Sequence, residues 1–270
     1  QRAIVPPAGR GLTRRRRPCS NGSMTALRAG ALVLGHRGYR ARFPENTLLA
    51  FSKALECGAD GIECDIQKSA DGRYVVIHDA TVDRTSNGGG EVAGMRFDQL
   101  RLLDFGRGER ILDLPELLAA IPADRYLDLE LKAETIAPAD LAAIEAILAT
   151  RGRARTMVSS FEAPLLGHFR GKGWTVGFLV GNEIAARGPG ALLGVILRLR
   201  PQYVNMPVQV VERVGLAKAR LLLGILRLLG CSILLWTVND PATAAGILRF
   251  ARIVVTDEVE KLIHAGRKER

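Results

Sequence analysis

Short apolar runs rich in β-branched residues alternate with longer amphipathic runs along most of the chain. The short runs predict strands near residues 31–35, 61–66, 126–131, 156–160, 175–180, 202–206, 232–238 and 253–256. The longer runs predict helices near residues 47–58, 115–121, 138–150, 162–171, 183–199, 208–229 and 241–250. Such alternation is typical of a parallel sheet with crossover helices. We therefore expect an α/β fold of the TIM (β/α)8 barrel type, with a doubly wound open sheet as the alternative.

One apolar run breaks the alternation directly after the second strand. Residues 73–78 follow too closely for a parallel crossover, and Asp71-Gly72 favours a tight turn, so we expect a β-hairpin. If Asp71 and Gly72 form a two-residue loop, His78 lies opposite Asp65. Residues 79–112 are rich in glycine and charge and predict an irregular insertion on the substrate side.

The first 23 residues differ in composition from the rest. They hold six arginines, no acid and no apolar periodicity, and we interpret them as a disordered leader or an expression remnant before a single barrel domain at 24–270. Without them 32 basic residues face 28 acidic ones, and aromatic residues are few, which argues against a nucleic-acid partner. The four cysteines show no paired spacing, so we expect no disulfide frame, no thiolate metal site and a cytoplasmic location.

A membrane-spanning helix is the alternative interpretation of the nearly unbroken apolar run Leu221–Val238. We favour a buried helix that ends near Leu229, a stop at Gly230 and a strand from Ser232, because a glycine break and a strand pattern do not suit a membrane helix. The apolar helix Ala191–Leu199 is interpreted in the same way. Both helices are compatible with peripheral membrane contact or with a homo-oligomer.

Carboxylates occupy same-face positions on two of the predicted strands. Glu63 and Asp65 alternate on the second strand, and Glu130 lies near the end of the next parallel one. Adjacent buried carboxylates repel each other unless a cation lies between them. Hard oxygen ligands favour Mg²⁺ or Ca²⁺ over zinc. A structural ion pair with a neighbouring base is the alternative.

Two of the four histidines accompany these carboxylates. His36, followed by Arg37, ends the first strand, where a barrel places its active site, and the hairpin delivers His78 to the same region. Lys132 shares a face with Glu130 and offers a point charge to a phosphate oxygen. We interpret His168 and His264 as structural.

Taken in order, these residues resemble the glycerophosphodiester phosphodiesterase family. The resemblance runs from about Val33 to Asp257. It rests on His36-Arg37-Gly38, Pro44-Glu45-Asn46-Thr47, Glu63-x-Asp65, His78-Asp79 with Arg84-Thr85, Glu130-x-Lys132, Trp236-Thr237-Val238-Asn239 and Thr256-Asp257.

The resemblance implies a metal-dependent hydrolase that converts glycerophosphodiesters into glycerol 3-phosphate and an alcohol. It implies one divalent cation, Mg²⁺ or Ca²⁺, and a small-molecule substrate. The nucleophile is either water or the glycerol hydroxyl next to the phosphate. The implied roles are metal binding by Glu63, Asp65 and Glu130, acid–base catalysis by His36 and His78, phosphate binding by Arg37 and Lys132, and a second shell or substrate pocket formed by Glu45, Asn46, Phe161 and Trp236.

Two departures from the family pattern bear on substrate choice. Arg40 and Arg42 stand where smaller residues are common and either favour an anionic leaving group or belong to a solvated loop. Phe250-Ala251-Arg252 replaces the usual glycine and acidic residues before the last strand. The alternative activities are a lysophospholipase D or sphingomyelinase-D-like reaction on the same barrel. A non-catalytic scaffold that binds a phosphate ligand is the alternative from another class.

Overall fold

The computed structural model describes residues 31–240, 242 and 248–265. In this part of the chain eight parallel strands form a sheet that closes, because the first strand pairs with both the second and the last. The closed sheet confirms the predicted TIM barrel and excludes the open sheet. The strands are β1 (Leu32–His36), β2 (Gly61–Lys68), β4 (Tyr126–Leu131), β5 (Thr156–Ser160), β6 (Thr175–Leu179), β7 (Tyr203–Pro207), β8 (Ser232–Trp236) and β9 (Ala251–Thr256), with β3 (Tyr74–Val76) added antiparallel to β2.

Helices cover the outside of the barrel. Thr47 begins the first of them, since its Oγ1 accepts a hydrogen bond from the amide of Ala50 at 3.2 Å. The helices are α1 (Leu48–Glu56), α2 (Phe97–Leu100), α3 (Leu114–Ala120), α4 (Leu141–Ala149), α5 (Ala163–Gly167), α6 (Asn182–Ala186), α7 (Pro189–Leu199), α8 (Val208–Val214), α9 (Leu216–Leu228) and α10 (Val259–Ala265).

Two long predicted helices are each divided by a glycine. Gly188 separates α6 from α7 and Gly215 separates α8 from α9, with φ of 83° and 80°. Positive φ is tolerated by glycine but ends a right-handed helix, which apolar periodicity alone does not reveal. The helix predicted at 241–250 lies mostly outside the described residues, and the leader predicted at 1–23 lies wholly outside them.

The predicted hairpin forms, but its register is shifted by one residue. Lys68 pairs with Tyr74 and Ile66 with Val76, so Ile77, and not His78, lies opposite Asp65. The loop contains three residues and ends in Gly72 at φ 79°, instead of the predicted two-residue turn. Asp71 accepts a hydrogen bond from Ser69 inside this loop, which favours the longer form.

The insertion between β3 and α3 packs around apolar residues of its own. It contains a short 3₁₀ turn (Val92–Gly94) and α2, and it closes against β3. The small core therefore holds the insertion as a fixed part of the barrel rim. Its buried members are Val75, Ile77, Val82, Val92, Leu100, Phe105 and Ile111.

The apolar run near the end of the chain forms a helix and a strand, as predicted. α9 ends at Leu228, Gly230 adopts φ 85°, and β8 begins at Ser232. Among the described residues, no helix combines the length and the apolar character that crossing a bilayer requires.

Candidate active site

Three carboxylates converge inside the carboxyl end of the barrel. Asp65 on β2 lies beside Glu130 on β4 in the strand register, and Glu63 stands two residues earlier on the same face. All three are buried, and a ligand oxygen from each lies within 4.8 Å of the others. The structure therefore brings together the three predicted metal ligands.

Burial and mutual repulsion govern the ionisation of this cluster. Burial raises the pKa of Glu63 well above its usual range, and the charges of Asp65 and Glu130 raise it further. Burial, followed by the charge of Asp65, raises the pKa of Glu130 to about 8. Burial opposes the ionisation of Asp65 too, but Lys132 and Arg37 outweigh it and hold the pKa of that carboxyl below its usual range. The carboxylates of the cluster thus repel one another. Their oxygen donors fit a hard divalent cation, whose charge would relieve this repulsion.

The two predicted phosphate-binding cations contact the carboxylates themselves. Lys132 Nζ lies 2.9 Å from Asp65 Oδ1 and 2.5 Å from Glu130 Oε1. Arg37 adopts φ 51°, donates its backbone amide to Glu63 Oε2 at 3.0 Å and places Nε 3.3 Å from Asp65 Oδ2. Both side chains are buried, and Arg37 lines the pocket; their role as phosphate ligands stays a prediction.

Glu45 and Asn46 lie behind Arg37 and Asp65. Glu45 Oε1 accepts a hydrogen bond from Arg37 Nη1 at 2.8 Å. Asn46 is left-handed with φ 57° and donates Nδ2 to Asp65 Oδ2 at 3.0 Å. Burial opposes ionisation of Glu45, but hydrogen bonds from Arg84 and Arg37 lower its pKa to about 2. These contacts fix the positions of one cation and one carboxylate.

His36 contacts an aspartate that directly follows the last strand of the barrel. Its Nδ1 lies 2.6 Å from Asp257 Oδ1, and its Nε2 points toward Glu63 Oε2, 3.9 Å away. Asn239 Nδ2 in turn donates to Asp257 Oδ2 at 2.8 Å. Burial lowers the pKa of His36 although its bond to Asp257 raises it. An Nδ1–H that donates to Asp257 would leave Nε2 as the proton acceptor of this imidazole.

His78 has a similar arrangement and lines the same pocket. Its Nδ1 lies 2.6 Å from Asp79 Oδ1, and Arg84 Nε donates to Asp79 Oδ2 at 2.6 Å. Arg84 also donates to both carboxylate oxygens of Glu45, at 2.7 and 3.0 Å. Burial lowers the pKa of His78, and the hydrogen bond from Arg84 lowers the pKa of Asp79 to about 2. A chain of ion pairs thus ties the insertion to the carboxylate cluster.

Uncharged side chains form one wall of the pocket that the two histidines line. Phe161 and Trp236 meet edge to face with ring centroids 6.0 Å apart, and Trp236 Nε1 donates to the carbonyl of Asn205 at 3.0 Å. Leu179 and Leu234 line the same wall, and the cavity encloses about 140 Å³. The structure therefore places both predicted aromatic residues at the pocket.

Sequence reasoning missed a polar group at the floor of this pocket. Ser159 Oγ donates to Asp128 Oδ1 at 2.6 Å, and Asn205 Nδ2 lies 3.5 Å from Asp128 Oδ2. Burial raises the pKa of Asp128 to about 7. The signal was present in the sequence, because Asp128 shares the inward face of β4 with Glu130 and Lys132. Sequence reasoning also assigns no role to Asp79 and Asp257, although both belong to motifs on which the family resemblance rests.

The remaining candidates divide between the site and the scaffold. Arg40 Nε lies 3.5 Å from Asp257 Oδ1, at the edge of the site. Arg42 pairs with Glu260 at 2.8 Å and is exposed to solvent. His168 binds Glu145 at 2.8 Å on the outside of the barrel, and His264 lies on α10, so the structural interpretation of both fits their positions.

Comparisons with known proteins agree with this geometry. Residues 36–261 match the Glycerophosphoryl diester phosphodiesterase family. A glycerophosphodiester phosphodiesterase of Caldanaerobacter subterraneus subsp. tengcongensis is 32% identical over 250 residues, which are 88% of this chain and 98% of that protein. The crystal structure of a glycerophosphodiester phosphodiesterase from Thermotoga maritima superposes with a TM-score of 0.74 at 30% identity, and covers 87% of this chain and 98% of that one.

A third protein shares the fold at lower identity. It is an Oleispira antarctica phosphodiesterase, solved in complex with the product sn-glycerol-3-phosphate, with a TM-score of 0.76 and 24% identity over 88% of this chain and 97% of that one. The family match covers most of the chain, as does the likeness to the first two relatives. This chain belongs to the glycerophosphoryl diester phosphodiesterase family.

Proposed function

We propose that this protein hydrolyses glycerophosphodiesters to glycerol 3-phosphate and an alcohol, with a divalent cation and with two histidines as acid and base. One observation carries the proposal: a cluster of three buried carboxylates adjoins a pocket lined by two histidines, and each histidine contacts its own aspartate. Membership of the family supports the reaction class. A phosphodiesterase of the same fold that was solved with sn-glycerol-3-phosphate supports the product.

Glu63, Asp65 and Glu130 would hold the cation, Mg²⁺ or Ca²⁺. All three offer oxygen donors, and the raised pKa values of Glu63 and Glu130 reflect a charge repulsion that a divalent cation relieves. When bound, the cation would withdraw charge from the phosphoryl oxygens and favour deprotonation of the nucleophile.

The two histidines divide the proton transfers. In each, the bond from Nδ1 to an aspartate leaves Nε2 free to face the pocket. One Nε2 accepts a proton from the nucleophile as its oxygen bonds to phosphorus. The other imidazole, in its protonated form, donates a proton to the alcohol oxygen as the phosphorus–oxygen bond breaks. Exchange with solvent then restores both histidines.

Arg37 and Lys132 bind the phosphoryl oxygens in this proposal. Their buried positions beside the carboxylates support this role, because positive charge there would stabilise the negative charge that develops in the transition state. Glu45 holds Arg37, and Asn46 holds Asp65. Phe161 and Trp236 form the apolar wall against which the carbon skeleton of the substrate packs.

A substrate panel with metal exchange tests the proposal. Glycerophosphocholine, glycerophosphoethanolamine and glycerophosphoglycerol are incubated with the protein after dialysis against EDTA, with and without Mg²⁺, Ca²⁺ or Mn²⁺, and glycerol 3-phosphate release is measured. We expect release only when a cation is restored. Full turnover in excess EDTA would overturn the metal requirement, and absence of release from every diester under every condition would overturn the activity.

A second candidate activity is the hydrolysis of lysophospholipids by the same chemistry. Neighbouring residues divide between two cavities: Leu179 and Asn205 line the catalytic pocket, while Val180, directly after β6, and Met206 line an apolar groove of about 90 Å³ beneath α6–α9. The groove lies on the other face of the strands, so the apolar side chains of the catalytic pocket itself, Phe161, Leu179, Leu234 and Trp236, are what supports a substrate with an acyl chain. The ratio of turnover with lysophosphatidylcholine to turnover with glycerophosphocholine decides between the two, and a ratio above one favours the lipid.

A further inference from the structure

The part of the barrel formed by α6–α9 differs from the rest in its exposed apolar side chains. Of the eleven large hydrophobic residues exposed in the described part of the chain, eight lie on α7, α8, α9 or immediately after α9. They are Leu193, Leu197, Val214, Leu216, Leu221, Ile225, Leu228 and Leu229. Exposed apolar residues are normal when scattered singly, but such a concentration marks an interaction surface.

The exposed residues of α9 form a continuous stripe. Leu221, Ile225 and Leu228 follow the i, i+4, i+7 spacing of one helix face, and they are 67%, 43% and 89% exposed. The opposite face packs on the barrel through Leu223 and Leu226. The helix is therefore apolar on two sides, and only one of them is covered by the fold.

Charge distinguishes between the partners that this face could accept. Residues 184–230 hold seven basic residues and one acidic residue, whereas the remainder of 24–270 holds 25 basic and 27 acidic residues. The segment therefore accounts for the positive charge of the barrel domain. Its exposed basic residues are Arg187, Arg198, Arg200, Arg213, Lys218 and Arg227.

Three of these basic side chains lack an acidic partner among the side chains that the structure describes. Arg198, Arg200 and Lys218 make no ion pair with any carboxylate whose side chain the structure describes. A second copy of the chain docked face to face would bring two positive surfaces together, which is unfavourable. An anionic lipid surface offers negative charge to the arginines and an acyl region to the leucines.

We propose that α7–α9 form a docking face for anionic phospholipid membranes. The exposed leucines enter the boundary between headgroups and acyl chains, and the arginines lie against lipid phosphates. The docking does not depend on the catalytic proposal, because none of these side chains lines the catalytic pocket.

Vesicle sedimentation tests the docking face. The full chain is mixed with vesicles of phosphatidylcholine alone or with 30% phosphatidylglycerol, at low and high salt. We expect binding to the anionic vesicles, weakened by salt, and little binding to phosphatidylcholine. The affinity of the double variant Leu221→Ser/Leu228→Ser for these vesicles should be lower by about tenfold or more. Arg198→Glu/Arg227→Glu should lower binding by roughly fivefold or more per residue.

The chain supplies a matched control for the apolar change. Leu102 is 78% exposed on the insertion, away from the docking face, and Leu102→Ser should bind vesicles like the unmodified protein. All variants retain the six arginines of residues 1–23, so the comparison cancels their contribution. Each variant is also assayed for turnover of soluble glycerophosphocholine, which should be unchanged and shows that the barrel is folded.

Two outcomes would overturn the docking face. The first is vesicle binding by both double variants that equals that of the unmodified protein. The second is a dimer in sedimentation velocity without lipid that becomes a monomer with Leu221→Ser/Leu228→Ser, because a second copy would then cover the stripe. Loss of turnover on all soluble diesters, with vesicle binding intact, would instead count against the proposed activity alone.

Discussion

The two halves of the barrel rim are built from different side chains. The half formed by β1–β4 and the insertion holds the carboxylates, both histidines and the cations around them. The half formed by β5–β8 presents Phe161, Leu179, Leu234 and Trp236, with Asn205 below them. In the proposed function the first half acts on the phosphodiester, while the second half selects the groups attached to it. We therefore expect that mutations can change reaction rate and substrate choice separately.

The largest effect is expected from a metal ligand in the charged half. Glu63→Gln removes one oxygen anion and should lower turnover about a thousandfold, because Lewis-acid stabilisation contributes several kcal/mol. Mn²⁺ binding followed by electron paramagnetic resonance should weaken in parallel. Asp128→Asn is the control, since it removes a buried carboxyl two residues from Glu130 but outside the cluster. Unchanged Mn²⁺ affinity in Glu63→Gln would place the cation elsewhere.

The histidines should give the next largest effect. His36→Ala and His78→Ala should each lower glycerophosphocholine turnover about 100-fold or more, the usual contribution of a positioned proton donor or acceptor. A diester with a p-nitrophenol leaving group does not need the acid, so one variant should be rescued and the other should not.

His168→Ala serves as the control for both histidine variants, because that residue binds Glu145 away from the pocket. It should keep turnover close to that of the unmodified protein. Failure of the good leaving group to rescue either catalytic variant would show that at least one of the two histidines acts as a ligand, not as an acid.

The orienting aspartates should have smaller effects that differ from each other. Asp257→Asn and Asp79→Asn should lower turnover by about tenfold to 100-fold, since each aspartate holds its histidine in one tautomer. The loss should be greater for Asp257, whose partner His36 is more deeply buried than His78. Turnover as a function of pH checks this, and equal losses with unchanged profiles would contradict the orienting role.

Substitutions in the uncharged half should weaken substrate binding. Trp236→Leu and Phe161→Leu remove an aromatic pair whose contact contributes about 0.5–1.5 kcal/mol, so KM should rise roughly twofold to twelvefold while kcat is nearly kept. Steady-state kinetics on two diesters with different alcohols measures the effect. A fall in kcat as large as that of the histidine variants would break the division between the two halves.

The ion pairs behind the charged half should make a small contribution to stability that depends on pH. Glu45 has a folded pKa of about 2 against an ordinary value of 4.5, so its contribution is complete above pH 4.5 and is lost as the pH falls toward 2. Between pH 6 and pH 3 the loss should be about 2 kcal/mol in the free energy of unfolding. Urea unfolding should show a correspondingly weaker pH dependence in Glu45→Gln. An equal dependence in both proteins would contradict this.

The sequence predicted the barrel because β-branched runs and helical runs recur at regular intervals, and it predicted the carboxylates because strand alternation places Glu63 and Asp65 on one face. It did not predict the hairpin register, since a two-residue and a three-residue turn are both compatible with Asp71-Gly72. It also did not assign Asp257, because only closure of the barrel brings that residue against His36. The single domain at 24–270 and the cytoplasmic location stay predictions.

The division of neighbouring strand residues between two cavities also constrains how this protein can change during evolution. Insertion or deletion of one residue in β6 or β7 would send Val180 or Met206 into the catalytic pocket and send Leu179 or Asn205 outward. The lining of both the catalytic pocket and the groove would be lost in one step. Lineages that acquire new substrates should therefore keep these strands at constant length and vary their side chains, and place any difference in length in the loops beyond them.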